Sequence, residues 1–391
     1  MKICMLSRAY VTNCSGGMED YTQKLCEGLV KKGHEVTLIT SRHPQSIPHE
    51  IFNGVEIFYL DNPSPLSYKG FFIKAIIKYR ELDKIFHFDV LHSQSSAALA
   101  SLIFSINTPL ITTMHGSLKT ETQLNPNIFN RKNSKEKILT VLKLYKRIFV
   151  HFLTKIMLKK SSAIIVASEF SKRKFSNKKI DHKIRVVYHG IKDDLLKRSD
   201  KIEARKALKM NSDQKVLLCL GRIVQEKGIQ VVLESLKILD QKRNDIVLVI
   251  VGKGPFEDEL KKIVEKMRLD NVVFAGFVHD SDKYLYYSAA DLFIYPELTS
   301  PAFGLVAAEA MACGTAVISS DHEATREVIG DQSFLFTPSN HEELAMLIDD
   351  YFSKSDSEKE NIINNFNLRQ KKLFSYERMI SDTEELYKKI I

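Results

Sequence analysis

Arg222 and Lys227 stand five residues apart, just after the apolar run Lys215–Leu220. Two cations at the end of a strand suit a reaction in which a phosphate-bearing group departs. Positive charge is then needed where negative charge develops. The plain alternative is a solvated basic loop. A second stretch, Pro296–Gly314, offers the same chemistry by other means. It follows the apolar run Leu292–Tyr295, passes through a Pro/Ser/Gly loop and enters a helix-like run that stops at Gly314. The first amides of that helix, near Phe303, Gly304 and Leu305, have no partner inside it and can point at an anion. Glu309 lies within the helix. Ser15-Gly16-Gly17 repeats the arrangement near the start of the chain. Glycines between a strand and a helix let amides approach a pyrophosphate closely, or merely serve a turn of positive φ. His115 closes the run Pro109–Met114, and its strand-end position makes it a candidate ligand contact. Asp280-Ser281-Asp282 has the form of a carboxylate pair on a metal diphosphate, but Asp and Ser favour N-caps, and a cap is the expectation. No other cluster has metal-ligand spacing, so neither a metal nor a cofactor is expected.

These residues need strands and helices to place them. Lys2–Leu6 reads as a strand, Met18–Lys32 as a helix closed by Gly33, and Glu35–Thr40 as a second strand. This start predicts a parallel sheet with helices on its faces. Further strands are expected at Val55–Leu60, Val90–Ser93, Pro109–Thr113, Ala163–Ala167 and Arg185–Val187. Helices are expected at Phe72–Phe86, Ala97–Ile106 and much of Lys135–Lys160. After His189–Asp194 the pattern begins again. The expected helices there are Lys201–Met210, Gly228–Leu239 and Phe256–Met267. Strands fall at Lys215–Leu220, Ile246–Val251, Val272–Ala275, Leu292–Tyr295, Thr315–Ser319 and Phe334–Phe336. Ser375–Ile391 is amphipathic and reads as a terminal helix. Ligands of such folds bind outside the carboxyl ends of the strands.

At 391 residues, two domains are the default. The apolar 44% and charged 27% are ordinary for a globular chain, and no apolar run is long enough to span a bilayer. The first residues lack the h-region and cleavage site of a signal peptide, which points to the cytoplasm. Five scattered cysteines match no metal spacing and suggest reduced thiols. The net charge of +9 is uneven. Residues 1–195 hold 30 Lys and Arg against 16 Asp and Glu, whereas residues 196–391 hold 27 against 32. The basic half suggests an anionic partner. Arg131–Lys160 carries ten of those cations and one acid, with apolar residues spaced for an amphipathic helix. The basic residues lack interleaved aromatics of the stacking kind, which argues against nucleic acid. A nicotinamide site is disfavoured too, because the second strand ends in Thr40-Ser41 with no acid for a ribose.

Several of these stretches together resemble the family 4 retaining glycosyltransferases. They are Gly16-Gly17-Met18-Glu19, Lys32-Gly33-His34-Glu35-Val36, His115-Gly116, and Gly221-Arg222 with Glu226-Lys227-Gly228. Gly252-Lys253-Gly254-Pro255, Ala290-Asp291 and Phe303-Gly304-Leu305 running to Glu309–Gly314 complete the set. The resemblance covers nearly the whole chain. It implies an α/β fold of the GT-B kind, two Rossmann-like doubly wound domains facing a central cleft. Residues 1–195 would bind the acceptor, 196–374 a nucleotide-sugar, and a helix in 375–391 would cross back to the first domain. By the same resemblance Arg222 and Lys227 would hold the diphosphate and Glu309 the ribose. The amides of Gly16, Gly17, Phe303, Gly304 and Leu305 would hold phosphate or sugar. His115 would contact the donor sugar, and Gly254 and Val278 would lie near the base. The family usually has two glutamates eight positions apart. Glu309 is the second, and the first position is Pro301, which can neither accept a sugar hydroxyl nor donate an amide. Glu297 is a candidate substitute. Ala324 stands where the family has a small Gly, with Glu327 in the later acid position. The expected activity is a retaining, metal-independent transfer of a sugar from a nucleotide-diphosphate donor to an acceptor hydroxyl in glycan, polysaccharide or glycolipid synthesis. The expected partners are a glycan or lipid-linked acceptor and an anionic membrane surface met peripherally from the cytoplasm. The alternative is a binding or scaffold protein impaired by Pro301.

Overall fold

The computed structural model describes residues 1–14, 16–61, 64, 70–115, 148–191 and 200–391. Two compact units divide the chain. One comprises Met1–Tyr188 with Glu377–Ile391, the other His189–Tyr376.

The amino-terminal unit is built on eight strands: β1 (Lys2–Leu6), β2 (Glu35–Thr40), β3 (His49–Phe52), β4 (Val55–Tyr59), β5 (Val90–Gln94), β6 (Leu110–Met114), β7 (Ala163–Val166) and β8 (Ile184–Val186). Their order across the sheet is β3-β4-β2-β1-β5-β6-β7-β8. All pairs are parallel except β3 with β4. The inner strands are buried on both faces, which is why they read as continuous apolar runs. β3 is a short polar edge that gave no such signal. The sheet order reverses between β1 and β5, and the crevice beyond their carboxyl ends is where such a sheet takes a ligand.

The helix expected at Ala97–Ile106 is only a 3-10 turn, Leu99–Leu102. Ser93 explains the difference. Its hydroxyl donates to Ser95 O (3.0 Å) and accepts from Ala98 N (2.9 Å), bonds that compete with a helix start. Residues 148–160 are helical. The earlier part of the expected helix from Lys135, the start of the basic run at Arg131, Ser15 and Gly116 lie outside the described residues. The last helix, Tyr376–Lys388, buries Met379, Ile380 and Tyr387 in this unit. His34 Nε2 meets its Glu384 at 3.2 Å, and buried His92 meets its Tyr387 at 2.5 Å.

The carboxy-terminal unit has six strands: β9 (Lys215–Leu220), β10 (Ile246–Val251), β11 (Val272–Gly276), β12 (Leu292–Tyr295), β13 (Ala316–Ser320) and β14 (Leu335–Phe336). The order β11-β10-β9-β12-β13-β14 is parallel throughout and is that of a doubly wound dinucleotide fold. Its reversal lies between β9 and β12. Three helices went unmarked in the sequence: Glu323–Ile329, His341–Ser353 and Asp356–Leu373. Among the described residues no helix is long and apolar enough to cross a membrane.

Candidate functional site

In the carboxy-terminal unit the candidate residues fall at the point where the strand order reverses. β9 ends at Leu220, and the chain turns through Gly221 to Arg222, which is exposed. A short 3-10 turn, Gln225–Lys227, then leads through Gly228 into the helix Ile229–Leu239. β12 ends at Tyr295 and continues into Pro296-Glu297. These two strand ends are tied together. Leu298 N donates to Glu226 O at 2.9 Å, and Gly228 sits so close to Pro296 that a Cβ would collide with its carbonyl. With a φ of 70°, Gly228 also occupies the left-handed region that favours glycine.

The side chains complete the junction. Lys227 forms an ion pair with Glu297 and lies 5.8 Å from the centre of the Tyr295 ring. Glu297 is 3% exposed. Its carboxylate is engaged by the Lys227 ammonium, whereas the sequence left it as a candidate for a sugar hydroxyl. Its main-chain oxygen meets His322 Nε2 at 2.9 Å. Tyr295 and His322 were missed by sequence reasoning. His322 sits two residues past β13, so its strand-end position was the available signal.

Neighbouring loops close the same edge. Ile223 N donates to Lys253 O at 3.0 Å, and Phe256 N to Ile223 O at 3.2 Å. Gly254 packs against Ile223 so tightly that a Cβ would strike its carbonyl. Its absence of a side chain thus has a structural cause in the chain itself. Val278 is half-buried, just past β11. The expected cap at Asp280-Ser281-Asp282 is not formed by a side chain. Asp282 holds the N-cap position of Lys283–Ala289 without a side-chain cap bond, and Asp280 instead pairs with Lys283 at 2.5 Å. Asp280–Asp282 already forms a 3-10 turn that feeds directly into the helix.

Beyond Glu297 the chain reaches the helix Leu305–Ala312, with Gly304 at its N-cap and φ of 120° there. Phe303 is buried, its ring 5.3 Å from that of Phe374 and 5.5 Å from that of His189. Pro301 is half-buried in the loop. Glu309 is 4% exposed, and Tyr287 donates its hydroxyl to it at 2.9 Å. Burial, then the charge of Glu309, pushes the Tyr287 hydroxyl well above its usual range, so it stays a donor.

In the amino-terminal unit the corresponding reversal gathers Gly16, Gly17 and His115. Gly16 precedes the helix Gly17–Lys31 with an extended φ of 170°. Neither glycine has the left-handed φ that a simple turn would have needed. A Cβ on Gly17 would meet nothing within 4 Å. His115 follows β6. Its Nε2 is 2.6 Å from Gln94 Oε1, and its ring stands edge-on to Tyr21 at 4.9 Å. Helix, β5 and β6 thus bring the residues of this unit to one place.

Residues 15–195 match the family described as Glycosyltransferase Family 4, and residues 200–368 match Glycosyl transferases group 1. An uncharacterized glycosyltransferase of Methanocaldococcus jannaschii is 27% identical over 99% of this chain and 98% of its own. The alpha-monoglucosyldiacylglycerol synthase of Streptococcus pneumoniae is 27% identical over 85% of this chain and 74% of its own. Among solved structures, a sucrose-phosphate synthase from Thermosynechococcus elongatus aligns with a TM-score of 0.78 at 22% identity, covering 100% of this chain and 98% of that one. Anabaena HepE, solved in complex with UDP-glucose, aligns with a TM-score of 0.70 at 21% identity, covering 100% of both. With both units matched in turn, the chain belongs to the family 4 glycosyltransferases and has their GT-B type of fold.

Proposed function

We propose that the chain transfers a sugar from a nucleoside-diphosphate donor to a hydroxyl of a lipid-linked or glycan acceptor, with retention at the anomeric carbon and without a metal ion. The observation that carries this reading is the junction of the β9 and β12 loops, which sets Arg222 and the anchored Lys227 at the ligand end of a doubly wound sheet. In the transfer, the bond from the anomeric carbon to the phosphate oxygen breaks and the acceptor oxygen bonds to that carbon. The acceptor's proton leaves with the diphosphate. Charge builds on the departing phosphate, where Arg222, Lys227 and the first amides of the helix Leu305–Ala312 supply the compensation. Glu309, held by Tyr287, takes the ribose. In the amino-terminal unit, His115 and the open face of Gly17 offer ligand contacts of their own, since a glycine with open space beside it admits a ligand's close approach. HepE is a fold neighbour solved with a nucleotide-sugar, which fits this donor class.

The pneumococcal relative is named for a glucosylated diacylglycerol, which favours a lipid acceptor. A surface of the amino-terminal unit suits that reading. Ile148, Phe149 and Phe152 are exposed at 49%, 61% and 58% on the helical residues 148–160. Beside them lies a cavity of about 560 Å³ with Lys155, Lys159, Lys174, Lys178 and Lys179 in its lining. Exposed apolar side chains, of which Phe152 shares that lining with the lysines, fit the surface of an anionic membrane, met peripherally from the cytoplasmic side.

A thermal-shift screen across UDP-, GDP- and ADP-sugars tests the donor site. One class should raise the melting temperature, and Arg222→Ala should remove that rise. A rise retained in Arg222→Ala would contradict the placement.

A further inference from the structure

We infer that Glu297 is a positioning residue of the donor site, whose buried carboxylate fixes the Lys227 ammonium where the diphosphate is received. This rests on the donor role proposed for Lys227. A carboxylate removed from water persists only when its charge and lone pairs are met. Glu297 is 3% exposed, and its carboxylate is paired with the Lys227 ammonium, which itself lies 5.8 Å from the centre of the Tyr295 ring. The Tyr295 hydroxyl is pushed well above its usual range by burial first and by Glu297 second, so it stays protonated beside that charge.

The backbone beneath Glu297 is held on both sides. His322 meets its main-chain oxygen, and Leu298 N bonds to Glu226 O in the loop that carries Lys227. The carboxylate is thus a fixed point, while the Lys227 side chain remains 36% exposed. An ammonium has three N–H donors. One can hold Glu297 while others remain for a phosphate. A free lysine loses rotamer freedom on binding its ligand; one already held by Glu297 loses less, so the anchor should tighten donor binding. Glu297 therefore serves the donor through Lys227 and not as the sugar-binding acid missing at Pro301.

A double-mutant cycle on nucleoside-diphosphate affinity tests the coupling, using the base identified by the thermal-shift screen. Glu297→Gln should weaken binding about tenfold, the size expected for one charge-assisted contact. Lys227→Met should weaken it at least as much. The double variant should bind no worse than Lys227→Met alone. Equal weakening by Glu297→Gln in both backgrounds would make the residue merely structural and overturn the inference. Unchanged or tighter binding in Glu297→Gln would overturn it as well. If Glu297→Gln fails to fold, Glu297→Asp takes its place in the same cycle: it keeps the charge but retracts it, and should give a smaller loss that likewise vanishes beside Lys227→Met. If Arg222→Ala and Lys227→Met weaken binding while Glu297→Gln does not, only this inference fails. If no nucleoside diphosphate binds the wild type, the donor-site reading fails with it.

Discussion

Asp291 and Arg222 are both charged, but their surroundings give them different work to do. Asp291 accepts from Arg205 Nη2 at 2.7 Å and from Val216 N at 2.6 Å, and pairs with Lys201. Arg205 is buried and also donates to Ala289 O and Ser212 O, so the cluster joins the start of β9 to the helix Lys201–Ala207. Removing one partner of a buried pair strands the other charge. Asp291→Asn should therefore cost about 3–5 kcal/mol in urea unfolding. Arg222 is exposed and forms no ion pair among the described residues, and Arg222→Ala should change stability by less than about 0.5 kcal/mol while removing donor binding. The two outcomes separate a residue that holds the unit together from one that serves its ligand. Both were visible in the sequence as motif residues, Ala290-Asp291 and Gly221-Arg222, but only the contacts distinguish their work. Glu297 was visible too, as an acid near the expected position. Its burial against Lys227 was not, because spacing along a loop says nothing about which way the loop closes.

At the scale of elements, the strands were the most legible part. Runs such as Ile246–Val251 are buried along their whole length and read as apolar without interruption. Helix Asp356–Leu373 was not legible for the opposite reason. Only Phe366 and Gln370 are buried along it, so no apolar stripe marks it. Its one signal was the capping box of Ser355 and Glu358. The terminal helix gives an element-scale prediction. His92 on β5 is fully buried between Tyr387 of that helix (2.5 Å) and Thr113 of β6 (2.7 Å). Burial lowers its pKa from 6.5 to about 3. The unfolded chain thus takes up a proton at this site below about pH 6.5 while the folded chain does not until about pH 3. The contribution of His92 is complete above that window and is lost as pH falls through it. His34 is lowered in the same direction, first by burial and then by the amino terminus. Acid titration of urea stability should show a slope across the window, and His92→Asn should flatten it. An unchanged slope would mean that the helix is not pinned through a neutral His92.

At the scale of the whole molecule, the doubly wound class was readable because alternating strands and helices leave few other topologies. The basic character of the amino-terminal half was readable from charge alone, and its exposed aromatics beside lysines give it a form that vesicles can test. Sedimentation with phosphatidylglycerol vesicles should carry the chain down, and zwitterionic vesicles should carry down much less. No preference would remove the membrane from the account. The central claim is catalytic, and the most direct measurement is release of nucleoside diphosphate from the donor selected by thermal shift, with diacylglycerol or a glycolipid in anionic vesicles as acceptor. The account predicts acceptor-dependent release that Arg222→Ala abolishes and a product with the donor's anomeric configuration. A donor that binds at this site and is neither hydrolysed nor transferred would contradict it and leave a binding protein in its place.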